Sequence, residues 1–164
     1  MHRILHLILA LIALGLVLAY IMSPIAAVTS PDGPARPIYG LDYTVAWAVF
    51  GLAILGFLRG LLGVQSGGDS HLTHFTCSLL GLFGSLAVAF QLVQIRRDVL
   101  GEAALAVGEA AKHVTTFEFC PGFTALMGLQ AAWLVVSLFA LTMRDQKPFH
   151  EMKEVKAKIE QKPA

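Results

Sequence analysis

The chain has 164 residues, of which 56% are hydrophobic and only 14% charged, with a mean hydropathy of +0.69. A water-soluble domain of this length needs more charge to cover its surface, so the composition excludes that class and points to a membrane protein. The formal net charge of +1 gives no field that would attract nucleic acid or an acidic substrate, and no nucleic-acid partner is expected.

The first apolar run, about residues 4–22, carries no charge and is long enough to cross a hydrocarbon core of about 30 Å at 1.5 Å per residue. A secretory leader is the competing reading, with small residues following at Ala26 and Ala27, but the run exceeds the usual apolar core of such leaders. The segment from Ser30 to Pro37 contains Pro31, Pro34 and Pro37 and reads as a short external linker. The second run covers about 43–64, with Tyr43 and Trp47 at interface positions and Arg59 placed to extend toward the headgroups. A polar turn at 65–70 leads to the third run, about 72–95, which Arg96 and Arg97 are expected to stop. In the following stretch, about 98–116, Asp98, Glu102, Glu109 and His113 recur at helical spacing, while Val99, Ala103, Val107, Ala110 and Val114 take another face. That pattern predicts an amphipathic helix, either an extension of the third helix or a surface for a partner. The fourth run covers about 123–143, with Pro121 where a first-turn proline is tolerated. Residues 144–164 form a charged tail in which Phe149, Met152, Val155 and Ile159 make a sparse apolar stripe.

The expected fold is therefore an all-α integral membrane protein. It comprises a four-helix transmembrane bundle over residues 1–143, an extramembrane helical segment between helices three and four, and a polar tail. Placing both termini on the cytoplasmic, matrix or stromal side puts Arg3, Arg59 and the six basic residues of the tail inside, against Arg36, Arg96, Arg97 and Lys112 outside. That is the orientation favoured by the excess of positive charge on cytoplasmic loops. The arginine pair beyond the third run argues the other way.

Polar groups within a bilayer are costly and mark candidate sites. No Asp, Glu or Lys lies deep in any of the four runs, which disfavours a pump or secondary transporter. The topology collects His2, His6, His71, His74 and His150 on one side of the membrane and leaves His113 on the other. His2 and His6 share a helical face, and His71 and His74 lie at a depth similar to His6. His6 and His74, with His2 and His71 beside them, are candidate ligands for a haem between helices one and three or for a metal ion. No Cys-x-x-Cys-His signature accompanies them, and no carboxylate stands near His6 or His74 to orient the rings. The leading expectation is that no cofactor is bound. Cys77 and Cys120 fall at opposite ends of the expected bundle, too far apart for a disulfide, which needs Cα atoms within about 7 Å.

Small residues at helical spacing are more plentiful: Gly15 with Ala19, Gly56 with Gly60, and Gly81 with Ser85. They let helix backbones approach closely within the chain or against other subunits, and Gln130 adds an expected interhelical hydrogen bond. No phosphate loop, nucleophile elbow or paired acid and base is present, so catalysis has no candidate site. The four-pass outline is superficially similar to claudins and tetraspanins. The segment 29–42 lacks the long Trp- and Cys-bearing claudin loop, however, and Cys120-Pro121-Gly122 is not the tetraspanin Cys-Cys-Gly, so no family is assigned. The functional expectation is a small accessory subunit that stabilises a larger membrane complex, with other membrane subunits and lipids as partners. A haem- or metal-binding electron-transfer subunit is the alternative, and a small channel or transporter is a further one.

Overall fold

A computed structural model describes residues 2–30, 33–66, 71–105 and 115–143. In chain order it contains α1 (His2–Met22), β1 (Pro24–Thr29), β2 (Arg36–Tyr39), a 3-10 turn (Gly40–Asp42), α2 (Thr44–Ser66), α3 (His71–Leu105), β3 (Thr116–Phe119) and α4 (Pro121–Thr142). All four helices are long and apolar enough to cross a membrane. Away from water, a helix satisfies each backbone N–H and C=O within its own segment, which is why long aliphatic runs adopt it. Helix α1 stops where Ser23 precedes Pro24, a position that disfavours helical backbone. Helix α4 opens on Pro121, whose missing N–H would have had no helical partner there.

The helices form a ring in which each packs on its sequence neighbours and α1 closes against α4. One end of the bundle holds the start of α1, the end of α2, the start of α3 and the end of α4. The opposite end carries the strands. The polar groups inside the ring include His6, His71, His74, Ser78, Ser85, Gln130 and Ser137. Large apolar side chains such as Leu11, Leu58, Phe83, Phe90 and Leu138 point outward and are about half exposed.

Two sequence expectations are corrected. The chain is mostly helical, as expected, but β1, β2 and β3 add a small antiparallel sheet in the order β2-β1-β3 that the all-α expectation left out. Ala26 stands opposite Ile38 on one side and Phe119 on the other, and Val28 opposite Arg36 and Phe117. On either side of the linker β1 and β2 pair with each other: Pro37 sits in an edge strand, where a missing N–H is tolerated, and Pro24 opens its strand. The sheet rests on an apolar cluster that includes Tyr20, Ile25, Val49, Leu92, Phe117 and Leu126.

The second correction concerns α3, which does not end at Arg96 and Arg97 but runs 35 residues to Leu105. At 1.5 Å per residue it is about 52 Å long, well beyond a hydrocarbon core of about 30 Å. The Arg96 guanidinium lies 5.5 Å from the centre of the Phe119 ring, so this arginine joins α3 to β3 by a cation–π contact. The extension reading of segment 98–116 thus applies as far as Leu105. Thr116 belongs to β3, and Val107, Glu109, Ala110, His113 and Val114 lie outside the described residues, as do the turn at 67–70, His150 and the tail.

Candidate functional site: a buried histidine cluster

Along α3, His71, His74, Ser78, Gly81 and Ser85 are all buried. Their alternating spacing of three and four residues places them on one helix face. At the bundle end away from the sheet, this face meets α1 through His6. The His6 and His71 rings stack with centres 4.3 Å apart and planes 9° from parallel. His74 lies 5.9 Å from His6 with a 45° tilt, and its other side faces the edge of Trp133 at 6.4 Å. All three histidines are at most 1% exposed. Both ring nitrogens of His74 are buried without a hydrogen-bond partner.

Helix α2 makes room for this cluster with glycine. A β-carbon at Gly63 would fall 2.5 Å from Cγ and Nδ1 of His6, one at Gly60 would fall 2.7 Å from the Ala10 Cβ, and one at Gly56 would collide with Trp133 Cζ2. Substituting any of the three would force α1 or α4 away from α2. Arg59 lies on the same helix and is half-buried.

Below the histidines the interior stays polar. Ser78 and Ser137 hydroxyls are hydrogen-bonded at 2.9 Å, and Gln130 Nε2 donates to the Ser78 carbonyl at 2.9 Å. The Gln130 amide fits against Gly81, where a β-carbon would lie 2.6 Å from Nε2. One step further on, the Tyr20 and Ser85 hydroxyls pair at 3.3 Å. Gln130 Oε1 and Trp133 Nε1 are buried without hydrogen-bond partners.

At the sheet end, a pocket of about 470 Å³ is lined by Val28, Arg36, Pro37, Ile38, Asp42 and Tyr43. Burial, followed by the Asp42 charge, raises the Tyr43 phenol above its ordinary value. With one basic and one acidic residue in its lining, the pocket has no marked preference for the sign of a ligand.

The structure brings together three of the four histidines that the sequence singles out; His2 begins α1, and its side chain lies outside the described residues. Gly56, Gly60, Gly81, Ser85 and Gln130 all face the interior and make the contacts above, and Ala19 is buried. Gly15 is less demanding, since a β-carbon there would meet Leu129 at 3.5 Å, an ordinary contact. Cys77 is buried and Cys120 half-buried, both as free thiols. Sequence reading missed Gly63, Ser78, Ser137 and Trp133. The α3 face His71, His74, Ser78, Gly81, Ser85 was the signal that would have exposed Ser78.

The packing does not fit a haem. A bis-histidine haem would need a slot as wide as its macrocycle between His6 and His74, whereas α2 packs directly on α1 beside them, at Gly60 against Ala10 and at Gly63 against His6. Nor is any group of three or more His, Cys, Asp or Glu side chains among the described residues arranged to hold a metal ion. Compared with known proteins, the chain matches no family model, no curated protein and no solved structure, so its site is read from its own geometry.

Proposed function

We propose that this chain is a four-pass integral membrane protein that works by assembling laterally with other membrane subunits. The observation that carries this reading is the division of its glycines into two sets. Gly56, Gly60, Gly63, Gly81 and Gly84 face inward, each against a side chain of a neighbouring helix, whereas Gly51 and Gly128 face open space. Around Gly128 the outward face of α4 is small as well, with Thr124, Ala125 and Ala131 exposed. Lipid tails are as apolar as leucine, so helix association in a bilayer depends on close backbone approach, which such a face permits. The interior, by contrast, is filled by its own Gly-to-side-chain contacts, which supports a scaffold rather than a conduit.

The test is extraction of the native protein in mild detergent followed by native electrophoresis. Co-migration with other membrane proteins is expected, together with release of the chain on Gly128→Leu. A solitary monomer, or an assembly indifferent to Gly128→Leu and Gly51→Leu, would overturn the reading.

A further inference from the structure

We propose that the pocket formed by β1, β2 and the residues leading into α2 holds the phosphoethanolamine headgroup of a membrane lipid, with Arg36 on its phosphate and Asp42 on its ammonium.

The lining sets the charge of the ligand. Around the pocket of about 470 Å³, Arg36 and Asp42 carry opposite charges, while Val28, Pro37 and Ile38 are apolar. A lone anion would meet the Asp42 carboxylate and a lone cation the Arg36 guanidinium, whereas a ligand bearing both charges offers each residue its opposite. Different elements hold the two residues. Arg36 opens β2 and is paired with Val28 of β1. Asp42 closes the 3-10 turn, where its Oδ2 accepts the Tyr39 N–H at 2.7 Å. That bond orients the carboxylate while using only one of its oxygens. Beside it, burial and the Asp42 charge hold the Tyr43 phenol above its ordinary value. The ring therefore stays neutral and brings a hydroxyl to the pocket rather than a second negative charge.

The donors select among zwitterions. A guanidinium presents paired N–H groups to two phosphate oxygens. A primary ammonium donates hydrogen bonds to a carboxylate, but a quaternary ammonium has no N–H and is held by a cage of aromatic rings, of which this lining supplies one. Ethanolamine thus suits the pocket better than choline, and a glycerol headgroup has no cation for Asp42. The position selects a lipid as the source. Tyr43 directly precedes α2, a helix able to span a membrane, and Trp47 in its first turn is 58% exposed. Tyr and Trp at the end of a span mark the level of the headgroups, and the pocket opens at that level. The inference rests on the four-pass part of the proposed function and not on lateral assembly.

The experiment is native mass spectrometry of the full chain, stripped of lipid in detergent and titrated with phosphatidylethanolamine, phosphatidylcholine or phosphatidylglycerol of identical acyl chains. Retention of one phosphatidylethanolamine is expected, about fivefold or more tightly than either other lipid. Asp42→Asn keeps an oxygen for the Tyr39 N–H and removes the charge, so it should bring the ethanolamine and choline lipids within about twofold of each other. Arg36→Gln should weaken all three, since each carries a phosphate. Equal retention of the three lipids by the unmodified chain, preference for another of them, or a preference that survives Asp42→Asn would overturn the proposal. Water-soluble glycerophosphoethanolamine serves as competitor, and displacement of the lipid at equal concentration would overturn a lipid as the source. Carbonate extraction of membranes carrying the chain keeps the two readings apart. A chain that stays with the membranes but shows no headgroup preference sinks this inference alone, whereas release into the supernatant sinks the four-pass reading with it.

Discussion

At the sheet end the bundle is closed with apolar material: Tyr20, Ile25, Leu92 and Phe117 pack beneath three strands drawn from two distant parts of the chain. At the other end three imidazoles and the glycine that admits them share the interior with an apolar cluster that includes Leu5, Leu9, Cys77, Trp133 and Ala140. Both ends are tightly packed, but only one is packed with groups that prefer to be wet. Burying Phe117 is favourable in itself. Burying His74 with both nitrogens unpartnered costs about 1–3 kcal/mol for each atom left unsatisfied. A chain under pressure for stability alone gains nothing from leaving the His74 nitrogens unpartnered.

The sharpest way to break this contrast is at the sheet. Phe117 is 8% exposed and lies in β3 against the cluster beneath the sheet. Phe117→Ala should cost about 3–5 kcal/mol, the usual range for emptying an aromatic site in a core. Because β3 pairs with β1 across roughly ninety residues of sequence, the loss should also loosen the hairpin. Thermal unfolding in mild detergent, followed by near-ultraviolet circular dichroism, measures it. A loss below about 1 kcal/mol, within the range of ordinary surface changes and minor repacking, would mean that the strands merely decorate the bundle.

A smaller effect is expected midway between the two ends. Ser137→Ala removes the Ser78–Ser137 hydrogen bond while leaving Gln130 on the Ser78 carbonyl. Interhelical bonds of this kind average about 0.6 kcal/mol in membranes, because the separated helices find other partners. The same unfolding measurement should return a value of that order. A loss of several kcal/mol would show that the polar seam, and not the sheet, holds α3 to α4.

How far these contrasts were readable in the sequence depends on their range. The four spans follow from local hydropathy and fall within a few residues of α1, α2 and α4. The histidine cluster also follows, because His6 lies about one turn into α1 and His71 and His74 lie in the first turn of α3, at the same end of the bundle. The sheet could not be read: Pro24–Thr29 looks like the tail of an apolar run, and its partner Thr116–Phe119 announces itself by no local period. Arg96 and Arg97 misled for a related reason. They mark where the chain leaves lipid, but a helix needs only its own hydrogen bonds to continue into water, and Arg96 has Phe119 to rest on. Stacking of His6 on His71, and the glycine that admits it, depend on helix rotation, which hydropathy does not fix.

The smallest expected loss of stability, replaced by a gain, falls on His74 in the histidine cluster. His74→Leu replaces a buried ring with two unpartnered nitrogens by an apolar side chain of similar volume. The transfer gain of the leucine and the removal of the unsatisfied atoms both favour the folded state, and loss of the edge contact with Trp133 opposes them by about 0.5–1.5 kcal/mol. The net should lie between no change and a gain of about 2 kcal/mol, in contrast with the loss expected for Phe117→Ala at the other end. Thermal unfolding in mild detergent measures it, and a loss beyond about 2 kcal/mol would show that His74 makes a structural bond in the folded chain. In that event its burial would be a matter of packing, and the two ends of the bundle would differ in material only.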